Sequence, residues 1–209
     1  MKKRKNTGLP PRLRPDPPWT PFVEAALPPP EQLACIGHPS QILGQVPGTA
    51  AGVTNGEGHN TAIRQPFTTA PVYLFLEDGI PIRSTGFFNH NALYEINLPQ
   101  AGGLEVNRGP TTALYGSDAI GGAVNVLTRM PPAATEFSLF GEAGSFGWKR
   151  ILGSAGTTVG DAGLLVNANR THTDGWRSKT AYDRESLTAR WDHALDANTV
   201  VKTDRKSVV

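Results

Sequence analysis

The stretch that decides the fold is RGPTTALYGSDAIGGAVNVLTR, Arg108 to Arg129. It places Gly109, Gly116, Gly121 and Gly122 close together and then runs into an aliphatic segment, GAVNVLTR. Such clustered glycines mark places where a Cβ would clash or where the backbone needs an unusual angle. Thr111 to Tyr115 suits a short helical turn, the glycines carry the chain onward, and GAVNVLTR reads as a well-packed strand that stops before Pro131-Pro132.

Working backward, GLEVNRG reads as another strand, and NALYEINLP as one or two helical turns closed by Pro99. VYLFLEDGIPI, Val72 to Ile82, reads as two strands joined at Asp78-Gly79, a strong hairpin signal. Thr61 to Arg64 makes a further short strand. HPSQILGQVPG predicts a short amphipathic helix with Pro39 at its start, Ile42, Leu43 and Val46 on one face, and Pro47-Gly48 as its stop. Residues 1–35 are Pro-rich and basic with little to bury, and are expected to lack a fold. They open on a basic run, Lys2 to Lys5, with no apolar segment behind it, so they do not read as a secretory signal.

Working forward, the pattern changes beyond Pro132. EFSLFGEAG, WKRILGSAGTTV, AGLLVNANRTHT and RESLTARWDHAL carry apolar residues at every second position. Phe137 and Leu139, Ile151 with Gly153 and Ala155, Leu164 with Val166 and Ala168, and Leu187 with Ala189 and Trp191 make one face. Glu136, Ser138, Glu142, Asn167, Asn169, Thr188, Arg190 and Asp192 make the other. Tight turns at Gly160-Asp161 and Asp196 to Asn198 alternate with a longer polar loop, Asp174 to Asp183. Both a transmembrane β-barrel and a soluble β-sandwich show this period of two.

Composition narrows the function. Among 209 residues there are 23 Gly and 18 Pro, 38% are hydrophobic, and the net charge is +2, which leaves no nucleic-acid footprint. Cys35 is alone and the five His are scattered, so neither a disulfide nor a metal site is indicated. The glycine cluster lacks the Gly-Lys-Ser/Thr of a phosphate loop, and there is no Gly-x-Ser-x-Gly elbow. The chain is therefore not read as an enzyme, and no cofactor is called for.

Taken in order, a helix ending in Val-Pro-Gly, an Ile-Arg strand, Asp-Gly-Ile-Pro, Glu-Val-x-Arg-Gly-Pro, Leu-Tyr-Gly and Gly-Gly-x-Val-Asn-Val resemble the plug domain of TonB-dependent outer-membrane receptors at its junction with the barrel. The resemblance covers about Pro39 to Val201. It implies an α+β plug over 36–132, a small mixed sheet with short helices, followed over 133–209 by the first antiparallel strands of an incomplete transmembrane β-barrel. Barrels of this class have about 22 strands, far more than this stretch can supply, so the chain is expected to be a piece of such a receptor. A non-transporting plug-like binding module, or a remnant, is the alternative.

The resemblance also implies the roles of particular residues. Its plug motif falls on Arg64, Asp78, Gly79, Arg108, Gly109, Pro110, Tyr115, Gly116, Gly121, Gly122 and Asn125. Arg64 and Arg108 would pair with carboxylates of the barrel wall. The loop RSTGFFNHN would reach the plug apex, so Arg83, Phe87, Phe88, Asn89 and His90 are the expected ligand contacts, with aromatic faces and donors suited to a bulky anionic chelate. The implied partners are the energy-coupling protein TonB, a ferric siderophore or cobalamin-like complex, and the lipid of the Gram-negative outer membrane.

Overall fold

The computed structural model describes residues 22–26, 38, 40–70, 72–82, 92–93, 95–97, 101–196 and 199–208. They form an N-terminal mixed unit and a C-terminal wall of five antiparallel strands. The mixed unit opens with β1 (Phe22–Ala26) and helix α1 (Ser40–Leu43). Strands β2 (Thr49–Asn55) and β3 (Gly58–Ile63) pair as a separate two-stranded hairpin. Then come β4 (Tyr73–Glu77), β5 (Ile80–Pro81), β6 (Ala101–Asn107), helix α2 (Thr112–Tyr115) and β7 (Gly122–Thr128). The main sheet runs β1-β6-β7-β4-β5, and β4 lies parallel to β7 with Tyr73 aligned to Gly122.

Strand β1 falls inside the segment that the sequence left without structure. The window between Pro21 and Pro28 is free of proline, so every residue from Phe22 to Ala26 keeps the N–H that pairing with β6 requires. Sequence reading also missed β2, because TAAGVTN has too few bulky apolar residues to show a period of two. The Asp78-Gly79 hairpin forms as expected, with φ at 50° and 85°, the paired left-handed angles of a type I′ turn.

Strand β4 is buried on both faces from Tyr73 to Leu76, and that explains its unbroken apolar run YLFL. Tyr73 and Phe75 pack with Leu104, Val106, Val124 and Val126 under α1, whose Ile42 and Leu43 point inward with Val46. Leu74 and Leu76 face the other way, onto Ala119, Ala123 and Tyr115.

The opening glycines are explained here. A Cβ on Gly121 would lie 2.8 Å from the Tyr73 ring, and one on Gly122, at φ 153°, would strike the Asn107 carbonyl. The chain must turn into β7 between β4 and β6, and only backbone fits the gap.

The wall comprises β8 (Glu136–Ala143), β9 (Lys149–Val159), β10 (Ala162–Thr173), β11 (Tyr182–Ala194) and β12 (Val200–Val208). They form an open meander with β8 and β12 at its edges. Strand β12 pairs along β11 from Val200 opposite Ala194 to Val208 opposite Ser186.

The wall is mostly polar on its buried face, which also holds Leu165, and mostly apolar on its exposed one. Arg150, Asn167, Thr171, Arg184, Ser186, Thr188 and Arg190 are buried, while Phe137, Leu139, Ile151, Leu164, Leu187 and Trp191 are exposed. The register aligns this apolar band across the strands, with Leu164 opposite Trp191 and Ala168 opposite Leu187. A sandwich sheet buries its apolar face instead, so this polarity separates the two alternatives the periodicity left open. Among the described residues no helix is long and apolar enough to cross a membrane.

Candidate functional site

The site is the contact between the mixed unit and the inner face of β11. Strand alternation puts Arg184, Ser186, Thr188 and Arg190 on that face, all of them buried. Each of them reaches a group of the mixed unit. Arg184 donates from Nη1 to the Glu57 carboxylate at 2.7 Å and from Nη2 to the Ile96 carbonyl at 2.8 Å. The Ser186 hydroxyl donates to Asn97 Oδ1 at 2.9 Å, and the Asn97 amide donates to Thr188 Oγ1 at 3.2 Å. Arg190 donates from Nη1 to the carbonyls of Thr128 and Arg129, both at 3.2 Å, and to the Thr128 hydroxyl.

Arg190 is held for this task. Asp192, two residues along and on the same face, accepts from Nε at 2.8 Å and from Nη2 at 2.9 Å, a bidentate grip that fixes the guanidinium plane. That leaves Nη1 aimed at the end of β7. Asp78 completes the cluster, accepting from the Thr128 amide at 3.0 Å and from the Thr128 hydroxyl, with its carboxylate 3.8 Å from Arg190. Behind it the Gly79 amide donates to Asn125 Oδ1 at 2.9 Å, and the Asn125 amide donates to Glu105 at 2.8 Å. Three motif residues, Asp78, Gly79 and Asn125, therefore belong to one network that locks the hairpin turn to β7 and to the wall.

A second grip closes on the turn of the β2–β3 hairpin. Besides Arg184 on Glu57, Arg177 donates to the Thr54 carbonyl at 2.7 Å. From the other side His38 Nε2 meets the Glu57 carbonyl at 2.9 Å, and His38 Nδ1 lies 2.7 Å from the Ser40 hydroxyl. A carbonyl only accepts, so Nε2 carries the proton and Nδ1 accepts from Ser40. Burial lowers the His38 pKa below its ordinary 6.5, only partly opposed by the hydrogen bond to the Glu57 carbonyl, so the imidazole is neutral at pH 7. On the wall, the Trp148 indole donates to Glu142 at 2.6 Å and the Arg150 guanidinium lies 4.6 Å from the Trp148 ring centre.

The remaining motif residues sit elsewhere on the mixed unit. Arg108 donates to the Pro47 carbonyl at 2.8 Å, and Arg64, at φ 55°, donates to the Arg108 carbonyl at 3.4 Å. Gly109 has φ 149°, beside Pro110. Gly116 ends α2 at φ 87° with its amide on the Thr112 carbonyl. Burial, then the Glu105 charge, raises the Tyr115 pKa. Arg83, Phe87, Phe88, Asn89 and His90 lie outside the described residues. The ion pairs between unit and wall among the described residues run from wall arginines to Glu57 and Asp78, and from Arg129 of the unit to Glu136 of β8 at 3.4 Å. Sequence reading had put Arg190 and Thr188 on the polar face of their strand without giving them partners, and missed Glu57, Asn97 and His38 as contacts.

A sequence model of the TonB-dependent Receptor Plug Domain matches residues 34–123, which hold α1 through the Gly121-Gly122 turn. Over those residues the chain is a TonB-dependent receptor plug domain. Its plug is the mixed unit, and β8 to β12 are strands like those of the receptors' barrels. Over 141 residues it is 31% identical to the vitamin B12 transporter BtuB of Photobacterium profundum, an alignment that covers 67% of this chain and 23% of that protein. Solved receptors share the fold. A complex of FpvAI with pyocin S2 matches at a TM-score of 0.74 and 13% identity, over 90% of this chain and 25% of that one. The copper transporter OprC matches at 0.70 and 18%, over 90% and 30%. The ferric citrate transporter FecA in its unliganded form matches at 0.69 and 21%, over 90% and 30%.

Proposed function

We propose that this chain is the plug and first wall strands of a TonB-dependent outer-membrane transporter that takes up a scarce chelated nutrient such as a ferric siderophore. The observation that carries the reading is the polarity of the wall: an exposed apolar band outside, and a buried row of arginines, hydroxyls and amides inside against the plug. Lipid satisfies the first face, and a plugged lumen the second. In this reading TonB supplies energy from the inner membrane. Arg83, Phe87, Phe88, Asn89 and His90 contact the ligand at the plug apex, and Arg64 and Arg108 pair with carboxylates of further wall strands. The similarity to a vitamin B12 transporter makes a corrinoid the competing cargo class.

The test is uptake of radiolabelled ferric chelates and of cobalamin by cells expressing the receptor that carries this chain, with and without functional TonB. TonB-dependent accumulation of an iron chelate is the expected result. Cobalamin uptake alone would replace the cargo, and recovery of the protein in the soluble fraction would overturn the transporter reading. Within it, Arg83→Ala and Phe88→Ala are expected to weaken chelate binding at least about tenfold without loss of folded protein, since anchor contacts of this kind commonly contribute more than 1 kcal/mol each.

A further inference from the structure

The turn between β2 and β3 is held from two directions, and one residue belongs to both grips. Glu57 offers its carboxylate to Arg184 of the wall at 2.7 Å and its carbonyl to His38 at 2.9 Å. His38 stands just ahead of α1 and is itself fixed by Ser40 and by edge-on contact with the His59 ring at 5.4 Å. The wall adds Arg177 on the Thr54 carbonyl. The hairpin is a sheet of its own, separate from the main plug sheet. Its turn is therefore placed by these contacts rather than by a ladder to the plug core.

We propose that His38 is a positioning residue for the Glu57–Arg184 pair, so that the start of the plug and wall strand β11 are coupled through this single turn. By holding the Glu57 carbonyl at 2.9 Å, closer than the 3.4 Å of His59 Nδ1 within the hairpin itself, His38 fixes the backbone from which the carboxylate reaches Arg184. Displacing His38 frees that backbone and weakens a plug–wall ion pair that it does not itself join. The Arg190 grip on Thr128 lies at the other end of β11, with its own orienting partner, Asp192, and stands outside this coupling. The inference rests on the reading that β8 to β12 line a barrel around the plug.

The experiment is amide hydrogen exchange at residues 54–58 in the full receptor that carries this chain, folded in detergent. It compares His38→Ala, Arg184→Met, Arg190→Met and the paired variants. His38→Ala and Arg184→Met are each expected to speed exchange at the turn about tenfold or more, and together to do no more than the larger of the two. His38→Gln, whose amide can donate to the same carbonyl, should restore slow exchange. His38→Ala and Arg190→Met should act independently. Glu57→Gln, which weakens the pair without stranding a charge, serves where Arg184→Met does not fold. Multiplying effects of His38→Ala with Arg184→Met or Glu57→Gln overturn the proposal, as does unchanged exchange at the turn in His38→Ala. Heat-modifiable gel migration reads barrel closure separately: its loss in the unmodified receptor overturns the barrel reading, whereas its retention with multiplying effects overturns the coupling alone.

Discussion

The plug sheet and the wall sheet are built from the same kind of strand and solve opposite problems. In the plug, Phe75 and Val124 are fully buried and the apolar side is the inside. In the wall, Leu187 and Trp191 are 54% and 42% exposed, while Arg184 and Arg190 are 6% and 3% exposed. An apolar side chain that faces out is not a defect when the surroundings are lipid, and a buried arginine is tolerable when oxygens meet its charge, as they do both terminal nitrogens of Arg184 and all three nitrogens of Arg190. The difference teaches that exposure alone does not say what a position tolerates.

The strongest challenge to this contrast is made in the plug. Phe75→Ala removes a ring from a closed core and is expected to lower plug stability by about 3–5 kcal/mol, read from urea unfolding. The more telling substitution is Leu187→Lys. On a water-facing sheet a lysine at such an exposed position would change stability by less than about 0.5 kcal/mol. On a lipid-facing one it costs about 2–4 kcal/mol at the bilayer centre and less toward its edges, read from refolding into vesicles. A neutral result there would break the comparison.

Asn97→Leu tests the seam between the sheets. It leaves the Ser186 and Thr188 hydroxyls facing an apolar side chain, with an expected cost of about 1–3 kcal/mol in plug unfolding.

Acid supplies a gentler probe. The folded His38 binds its proton less readily than the unfolded chain does, so between its lowered pKa and 6.5 the unfolded state carries more protons. Its contribution is complete above 6.5 and declines as the pH falls below that value. His38→Gln should flatten this part of a stability–pH curve. The smallest effect belongs to Arg170→Ala, which opens an exposed pair with Glu185 at 3.3 Å and is expected to cost about 0–1 kcal/mol, vanishing in high salt.

Much of this contrast was legible in residue order. The period of two in RESLTARWD separated Leu187, Ala189 and Trp191 from Thr188 and Arg190, and Asp-Gly announced its hairpin. What periodicity could not say was which medium each face meets, since lipid and protein core select the same apolar residues. The partners of β11 were hidden for a different reason: Glu57 and Arg184 lie 127 positions apart, and Asn97 and Ser186 lie 89 apart. No local pattern marks a contact of that range. Nor did the motif residues Arg64 and Arg108 lead to it, because within the described residues both donate to carbonyls of the plug.

The parallel pairing of β4 with β7 also has a consequence in time. Tyr73 to Glu77 emerge from the ribosome well before Gly122 to Val126, the strand they pair with along one edge. Until then YLFL is a bare apolar run with one covering strand absent, the kind of segment that associates with the wrong chain. Glu77 and Asp78-Gly79, set directly behind it, end that run with two charges and a turn, the flanking chemistry that discourages such a segment from aggregating.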